Sequence, residues 1–318
     1  MKRFRNILVH ADGLNGGRTA LRRAVHLAQA NDARLTIAEV IPELPPNIRK
    51  LQEIKSVTEL EEMAREDSQE RLDELLSEVD TSGLTVDKVV LTGTPYLELI
   101  RRVLTGRHDL IIKTAVQPGG LSERIFGTTG LHLLRKCPCP VWIIRPESEF
   151  TFKNILVAVN VFAEHDSETR LNYDLIQMSH SLAQSEQAHL HVVAAWELWM
   201  EAYLRTSRHM GAERVAETRR ELEYSTGEKL KQLLSQMDTG STVTTHVLNG
   251  VPEYVIPRVA REQEVDLLVM GTIGRSGLSG VFIGNTADRI LSQVNCSVLA
   301  LKPPGFETPV TLPHKNDE

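Results

Sequence analysis

The sequence predicts two α/β domains in tandem, each built on an open parallel sheet with helices on both faces. The chain of 318 residues repeats one pattern of about 150 residues, and a repeat of that length corresponds to whole domains. Within each copy, short apolar runs alternate with longer segments of helical periodicity, which is typical of βαβ units with right-handed crossovers. The first run, residues 6–11, is predominantly apolar, as expected of a parallel strand covered on both faces.

The duplication is visible in matched segments that keep their order. The run from Phe4 to Val9 returns from Phe152 to Val157. At an offset of 157 residues, four further segments match without a gap between Gly93 and Pro146. They are Gly93-Thr94-Pro95 with Gly250-Val251-Pro252, Asp109–Ile112 with Asp266–Val269, Val141–Ile144 with Val298–Leu301, and Arg145-Pro146 with Lys302-Pro303. We therefore predict domains over residues 1–146 and 152–303, joined by a short polar linker, and an irregular tail over 304–318 that is rich in proline and charge.

Each element of the first copy has its own signal. Apolar residues at helical spacing predict a helix over 19–30, and a strand over 34–41 ends before a group of prolines. A long charged helix follows over 56–79. The remaining predicted elements are strand 84–91, a helix from Pro95 at its first turn to 105, strand 109–113, helix 128–136 and strand 141–145. In the second copy the strands begin near residues 154, 190, 242, 266 and 297, with helices between them.

The charge of the chain limits its partners. The net charge of −6 lies entirely in residues 151–318, because the first 150 residues are electrically neutral. A mildly acidic chain lacks the positive field that nucleic-acid binding needs, so no direct DNA or RNA partner is expected. No apolar run of about 18 residues is present, so no membrane span is predicted. The apolar stretch after the basic start is interpreted as the first strand of a cytosolic protein, since a signal peptide needs a longer apolar core.

The three cysteines are interpreted as structural thiols. Cys137 and Cys139 share a Cys-Pro-Cys-Pro segment, but a zinc site needs four ligands and no second cluster stands elsewhere in the sequence. Cys139 also aligns with Cys296, directly before the last strand of each copy. No metal site is predicted.

A glycine-rich loop after the fourth strand of the second copy is the main candidate site. Two residues separate its first two glycines, and nine more precede a third glycine, which opens a predicted helix over 286–294. Such loops let backbone N–H groups approach a phosphate, and a helix N-terminus adds partial positive charge. The alternative is a tight strand-to-helix turn that needs glycine only for its dihedral angles. The predicted ligand-binding residues here are Gly271, Thr272, Gly274, Gly284, Asn285 and Thr286.

This loop resembles the nucleotide-binding signature of the universal stress protein family, Gly-x2-Gly-x9-Gly-(Ser/Thr), in its tandem-domain, E-type form. Asn285 stands where Ser or Thr is usual, and Thr286 follows. The resemblance covers both copies and the linker. It implies five-stranded parallel sheets of strand order 3-2-1-4-5, with ATP or another adenine nucleotide in the crevice between the first and fourth strands. It also implies a role in the stress response.

The first strand of each copy ends at a further family position. The family uses an aspartate there, near the base and ribose of the nucleotide. Asp12 holds this place in the first copy and Asn160 in the second. Asn160 can donate or accept a hydrogen bond but carries no charge. Asp12 has the alternative of accepting N–H bonds at a strand end.

The loop of the first copy departs from the family pattern. Thr114 and Gln117 stand at the positions of the first two glycines, although Gly127 and Thr128 are kept as candidate ligand-binding residues. The β-carbons of Thr114 and Gln117 would crowd the approach of a triphosphate. We therefore expect no ATP in the first domain and moderate nucleotide binding in the second.

Aromatic residues gather after the second strand of the second copy. Trp196, Trp199, Met200 and Tyr203 have the spacing of one helical face. This face is interpreted as packing against the other domain or a second subunit. The alternative is an apolar pocket for an amphipathic or lipid-like ligand.

The histidines offer only weak candidates. His189 and His191 share a strand face, but no third metal ligand is visible. His10, in the first strand, is interpreted as a core histidine.

Three functions remain open. The favoured one is a cytosolic, non-catalytic stress-response regulator that binds a nucleotide or related small molecule, mainly in the second domain. The second is an enzyme, a weak ATPase or an adenylate-forming α/β protein, although no catalytic constellation can be assigned from spacing. The third is the same fold holding a lipid-like ligand. The two domains are expected to pair within one chain, and homodimerisation is left open.

Overall fold

A computed structural model describes residues 4–43, 57–115, 126–146, 151–199, 204, 211–235, 243–272 and 284–312. The chain divides into two compact units. The first contains the described residues up to Pro146 together with 306–312, and the second contains the described residues from Thr151 to Gly305. The predicted tail is therefore split, because its described part from Phe306 onwards belongs to the first unit.

The first unit is a parallel five-stranded sheet with helices between the strands. Its strands are β1 (Asn6–His10), β2 (Arg34–Ile41), β3 (Val86–Thr92), β4 (Leu110–Thr114) and β5 (Val141–Ile144). Its helices are α1 (Gly13–Asn31), α2 (Val57–Ser77), α3 (Pro95–Gly106) and α4 (Gly127–Lys136). The strands lie in the order β3-β2-β1-β4-β5, so β1 is central, between β2 and β4.

The second unit repeats this arrangement. Its strands are β6 (Asn154–Ala158), β7 (His189–Trp196), β8 (Val243–Asn249), β9 (Leu267–Gly271) and β10 (Ser297–Leu301). Its helices, among the described residues, are α5 (Asp166–Glu186), α6 (Ala212–Ser235), α7 (Pro252–Glu262) and α8 (Asn285–Leu291). The order β8-β7-β6-β9-β10 again places the first and fourth strands side by side. The predicted α/β class and the 3-2-1-4-5 order within each unit are confirmed.

Both faces of each sheet are covered. Ile7, Leu8 and Val9 are all fully buried, and so are their counterparts from Ile155 to Val157. Because successive side chains of a strand point to opposite faces, burial of three in a row requires helices on both sides. The continuous apolar runs of the sequence therefore indicated the layering correctly.

A repeated aspartate explains why the same residues begin the central strand in each copy. Asp109 accepts hydrogen bonds from the backbone N–H groups of Arg5 and Asn6, at 2.7 and 3.0 Å. Asp266 accepts them from Lys153 and Asn154, at 2.7 and 2.9 Å. Each carboxylate satisfies donors at the start of the neighbouring strand, which sets the register of the fourth strand against the first.

Backbone geometry is duplicated even where the residues differ. Four described residues other than glycine have a positive φ: Asp32, Arg107, Gln187 and Glu264. They form two equivalent pairs, each following the end of an equivalent helix. A positive φ costs a side-chain-bearing residue on the order of 1 kcal/mol. The positive φ is kept although the four side chains differ. The fold therefore requires the helix-to-strand turn rather than a particular residue type.

Helix ends differ modestly from the sequence prediction. Helix α1 begins at Gly13, well before the predicted residue 19, and α8 ends at Leu291 rather than at 294. Gly13 has a positive φ, so glycine permits a turn there directly after the strand. No helix among the described residues is long and apolar enough to cross a membrane.

Candidate functional site

In the first unit, the crevice between the carboxyl ends of β1 and β4 contains an internal ion pair. The ammonium of Lys113 on β4 donates to the Asp12 carboxylate at 2.7 Å and to the Thr114 carbonyl at 3.0 Å. The side chain of Lys113 is only 2% exposed, whereas that of Asp12 is 54% exposed. The aspartate that the family resemblance assigns to a ligand is therefore bound to a lysine of the same chain. Among the described residues, the Asp12 side chain makes no capping hydrogen bond to the start of α1.

His10 lies beside this ion pair. It is buried, and in the sheet register it stands opposite Lys113. Burial, followed by the positive charge of Lys113, lowers the pKa of His10 to about 4, against a smaller opposite effect of Asp12. The imidazole is therefore neutral at pH 7, in keeping with a core histidine. Burial alone would raise the pKa of Asp12, but the charge and hydrogen bond of Lys113 outweigh it and lower that pKa.

The loop residues of the first unit are placed around the same crevice. Thr114 is buried and its hydroxyl donates to the Gly16 carbonyl. Gly127 begins α4 with a φ of +58° and Thr128 is exposed in the first turn. Gln117 lies outside the described residues. The threonine that replaces the family's first glycine is thus turned towards α1, where it closes a backbone hydrogen bond.

In the second unit, the crevice between β6 and β9 lacks these charges. Ala158 stands at the position of His10, Asn160 at that of Asp12 and Met270 at that of Lys113. The backbone of Asn160 pairs with the buried amide of Asn172, which accepts from the Asn160 N–H at 3.1 Å and donates to its carbonyl at 2.8 Å. The side-chain oxygen of Asn160 accepts from the Phe162 N–H at 3.1 Å. This asparagine stabilises its own turn.

Packing accounts for the first glycine of the loop. A β-carbon on Gly271 would lie 2.8 Å from Cδ2 of Leu171 on α5, which is closer than real contacts allow. The equivalent pair in the first unit is reversed, with Gly16 on α1 and Thr114 on β4. Each unit therefore has one glycine and one larger residue where the first helix crosses the fourth strand. Sequence reasoning missed this exchange because it depends on a contact between distant segments.

One backbone hydrogen bond, from Gly284 to Thr272, joins the described ends of the glycine-rich loop, and another continues the pairing of β9 with β10. The Thr272 N–H donates to the Leu301 carbonyl at 3.3 Å, and the Gly284 N–H donates to the Thr272 carbonyl at 3.1 Å. Thr272 is fully buried, and its hydroxyl accepts a hydrogen bond from the ammonium of Lys302. The side chain of Thr272 therefore serves the base of the loop.

The remaining predicted loop residues are only partly described. Asn285 and Thr286 are exposed at the start of α8, directly after Gly284. Gly274 lies outside the described residues. The structure thus brings Gly271, Gly284 and Asn285 to one end of β9 and adds Lys302, a cation that sequence reasoning did not select.

Comparison with known proteins identifies this arrangement. A sequence profile of the "Universal stress protein family" matches residues 3–145 and 151–302, one match for each unit. The chain belongs to the universal stress protein family. Universal stress protein E of Salmonella typhi is 30% identical over 337 residues and covers 100% of both chains. Universal stress protein E of Escherichia coli K12 is 29% identical over 320 residues, again with 100% coverage of both.

Solved structures agree with the tandem universal stress fold. A protein of unknown function from Pseudomonas aeruginosa PAO1 superposes with a TM-score of 0.68 at 24% identity, covering 95% of this chain and 94% of the other. A second Pseudomonas aeruginosa structure, described as a putative universal stress protein, gives 0.67 at the same identity and coverage. At this identity the likeness concerns the fold alone.

The aromatic segment of the second unit is not the helical face that the spacing suggested. Trp196 is the last residue of β7 and is buried, whereas Trp199 is 75% exposed. Met200 and Tyr203 lie outside the described residues. The interpretation of these four residues as one helical face is therefore wrong for its first member, because the strand continues further than the sequence pattern indicated.

Tertiary structure adds a third histidine to the pair on β7. His191 shares a 3.0 Å hydrogen bond with His246 on β8, and His189 bonds to the Thr244 hydroxyl at 2.8 Å. The rings of His189 and His191 lie 4.5 Å apart. No group of three metal-ligating side chains in the described part of the chain is arranged to hold a metal. We call His189, His191 and His246 the histidine cluster.

The cysteines are buried free thiols, as their interpretation as structural residues requires. The sulfur atoms of Cys137 and Cys139 lie 3.5 Å apart. The neighbouring Cys137 thiol and burial raise the pKa of Cys139 well above its ordinary value. A thiol with a raised pKa is a poor nucleophile at neutral pH.

Proposed function

We propose that this protein is a non-catalytic stress-response regulator that binds an adenine nucleotide in its second unit, in the crevice between β6 and β9. The observation that carries the proposal is the glycine-rich loop, whose described ends meet at Thr272 and Gly284 beside Lys302, in the unit whose described crevice residues include no counterpart of the Asp12–Lys113 ion pair. Doubly wound sheets bind ligands at this crevice, where the direction of strand order reverses. The family's nucleotide signature falls on the same loop.

Charge supports the choice of the second unit. Lys302, whose counterpart in the first unit is Arg145, supplies a positive group beside the two described ends of the loop, where phosphate oxygens would lie. The two units therefore differ in the charges of the crevice rather than in this cation. In the first unit, Lys113 is already neutralised by Asp12, and Thr114 stands in place of the first glycine. A nucleotide entering there would have to displace a 2.7 Å ion pair, so we assign the first unit no nucleotide.

The neutral Asn160 favours moderate rather than tight binding. A carboxylate at this position can accept hydrogen bonds from ribose hydroxyls, and hydrogen bonds to charged groups are about twice as strong as neutral ones. The oxygen of Asn160 is also already engaged with the Phe162 N–H. The ribose side of the site is therefore weaker than the phosphate side.

Two equivalent residues provide a matched test. Asn285 in the second unit and Thr128 in the first are exposed at the start of equivalent helices. An aspartate is favourable in a first helical turn, so Asn285→Asp and Thr128→Asp should both fold. Titration calorimetry with ATP should show affinity at least tenfold lower in Asn285→Asp, because the new charge repels phosphate, and unchanged in Thr128→Asp.

The outcomes separate the open functions. Equal ATP affinity in both variants and the native chain would reject the loop as the binding site, and an equal loss in both would reject the second unit as its location. Release of ADP during long incubation, lost in Asn285→Asp, would establish the weak ATPase instead. Mass spectrometry of the purified protein should find a nucleotide, whereas a bound lipid would favour the amphipathic ligand.

A further inference from the structure

A cavity lies in the second unit, and none of its lining residues belongs to β6 or β9. It has a volume of about 660 Å³, within the range of ligand-binding pockets. The end of β8 and one face of α7 form its walls, including Tyr254, Arg258 and Arg261. These three residues follow one another at helical spacing, so they lie on one face of α7. Tyr254 is 64% exposed.

Helix α7, which forms one wall of this cavity, contains an internal proline. Pro257 stands inside α7 and has no N–H to donate to the Glu253 carbonyl. The side-chain amide of Gln293 donates to that carbonyl at 3.0 Å and to the Arg289 carbonyl at 2.9 Å. Gln293 therefore replaces the missing backbone hydrogen bond and fixes one wall of the cavity.

The equivalent face of the first unit is covered by the chain itself. Arg101 on α3 is the counterpart of Arg258, at the offset of 157 residues. Its guanidinium donates to the backbone carbonyl of Thr311 at 3.3 Å. The segment 306–312 belongs to the first unit, has no helix or strand, and buries Val310. In the first unit, an arginine on the equivalent helix face thus binds a peptide segment that has no helix or strand.

The open face differs from the covered face in its charge. In the first unit, Glu98 pairs with Arg101 at 2.6 Å. Its counterpart in the second unit is Val255, and Arg261 stands where the first unit has Leu104. Lys136 of the first unit is replaced by Gln293. The residues that line the cavity therefore include two arginines and no acid, and Glu262 reaches Arg258 only at 3.9 Å.

We propose that this cavity binds an extended acidic peptide segment of a partner protein. The guanidinium of Arg258 would bind a main-chain carbonyl, as Arg101 binds that of Thr311, and Arg261 would bind a carboxylate of the segment. Tyr254 offers an exposed aromatic ring for an apolar side chain, as tyrosines do in interfaces. The second unit would thereby recruit a partner through a surface separate from the proposed nucleotide site.

The test uses a peptide that copies the segment bound by Arg101 in the first unit. A fluorescein-labelled peptide with the sequence of residues 304–312, which contains Glu307, is titrated with the full chain and followed by fluorescence anisotropy. A second peptide carries Gln in place of Glu307. We expect saturable binding of the first peptide and at least fivefold weaker binding of the second.

Matched variants locate the binding. Arg258→Gln and Arg261→Leu should each weaken the peptide at least fivefold, and Arg261→Leu installs the residue that the first unit has there. Arg101→Gln is the control and should leave the affinity unchanged. Thermal unfolding confirms that the variants fold, since both arginines of α7 are exposed.

Four results would overturn the proposal. One is that neither peptide binds. Another is that Arg101→Gln rather than Arg258→Gln abolishes binding, which would place the peptide on the first unit. A third is equal affinity for the Glu and Gln peptides. The fourth is displacement of the peptide by inorganic phosphate at micromolar concentration, which would indicate a pocket for a small anion.

Discussion

The two crevices share one backbone and differ in how their charges are neutralised. In the first, Asp12 and Lys113 neutralise each other beside the buried His10. In the second, Asn160 and Met270 stand at the two positions of the ion pair, and Lys302 lies at the base of the loop. The two copies therefore keep one backbone frame at this crevice, and in the first copy the two charges of the crevice satisfy each other. The predictions below exchange residues between the copies to test this difference.

The largest effect is expected from Asp12→Asn, which installs the residue of the second unit. It leaves the buried ammonium of Lys113 without its carboxylate, so the free energy of unfolding of the first unit should fall by about 2–3 kcal/mol. This is at or below the lower end of the range for wholly buried pairs, because Asp12 is half exposed to water. Urea unfolding followed by Trp142 fluorescence, in a Trp196→Phe/Trp199→Phe background, measures it.

The double variant Asp12→Asn/Lys113→Met completes the exchange and is the control. It removes both charges together, so it should recover most of the lost stability. If the double variant had a free energy of unfolding no higher than that of Asp12→Asn alone, the two groups would not act as a pair. The interpretation of the first crevice as self-neutralised would then be wrong.

The next effect concerns the helix-strand contact. Gly271→Ala in the second unit places a β-carbon 2.8 Å from Leu171, and overpacking of this kind costs about 1–3 kcal/mol. In a Trp142→Phe background, urea unfolding monitored by Trp196 should show the loss. In Leu171→Ala chains, the same change at Gly271 should cost markedly less, since the clashing methyl group is absent. An equal cost with and without Leu171 would mean that the glycine is required for its backbone alone.

The smallest effect is a pH dependence that belongs to the second unit. Burial, followed by His189 and His246, lowers the pKa of His191 to about 4 from 6.5, and burial also lowers that of His246 against the opposite effect of Glu262. The unfolded chain therefore takes up protons first as the pH falls. The stability from this cluster is fully present above pH 6.5 and is lost as the pH falls towards 4, by on the order of 1–2 kcal/mol at pH 5.

The residues of the first unit at the equivalent positions supply the substitutions for this test. Thr36 and Val89 are the counterparts of His191 and His246, as the strand registers show. The variant His191→Thr/His246→Val should therefore have a flatter dependence of unfolding free energy on pH between 4.5 and 7. His165→Asn changes an exposed histidine of the same unit and should leave the slope unchanged. A slope unaltered in both variants would assign the pH dependence to titratable groups outside the cluster.

Much of the fold could be predicted from the sequence because local patterns carried it. Predominantly apolar runs such as Asn6–Ala11 predicted strands covered on both sides, and Pro95 predicted the start of α3 to the residue. The end of β7 was missed, because Trp196 fits a helical pattern as well as a strand. Lys113 could have been found, since a lysine inside an apolar strand requires a partner.

The candidate site was less accessible to sequence reasoning. The glycine spacing identified the loop, but no sequence signal connects Gly271 to Leu171 or Lys302 to Thr272. His246 lies on a different strand from His189 and His191, so its place beside them follows from the register of β8 against β7. Contacts of this kind depend on which segments the fold brings together, and nothing in one strand specifies its neighbour's register.

The amino-acid sequence by itself determined that this chain is two α/β domains of the universal stress type with a glycine-rich loop in the second, because duplication, apolar periodicity and loop spacing are properties of order along the chain. Only the tertiary structure decided that Lys113 neutralises Asp12, that glycine and a larger residue exchange sides where the first helix crosses the fourth strand, and that the described part of the tail belongs to the first unit. These depend on distances across the sheet, where burial makes an unpaired charge or an overlapping methyl group costly enough to select one arrangement.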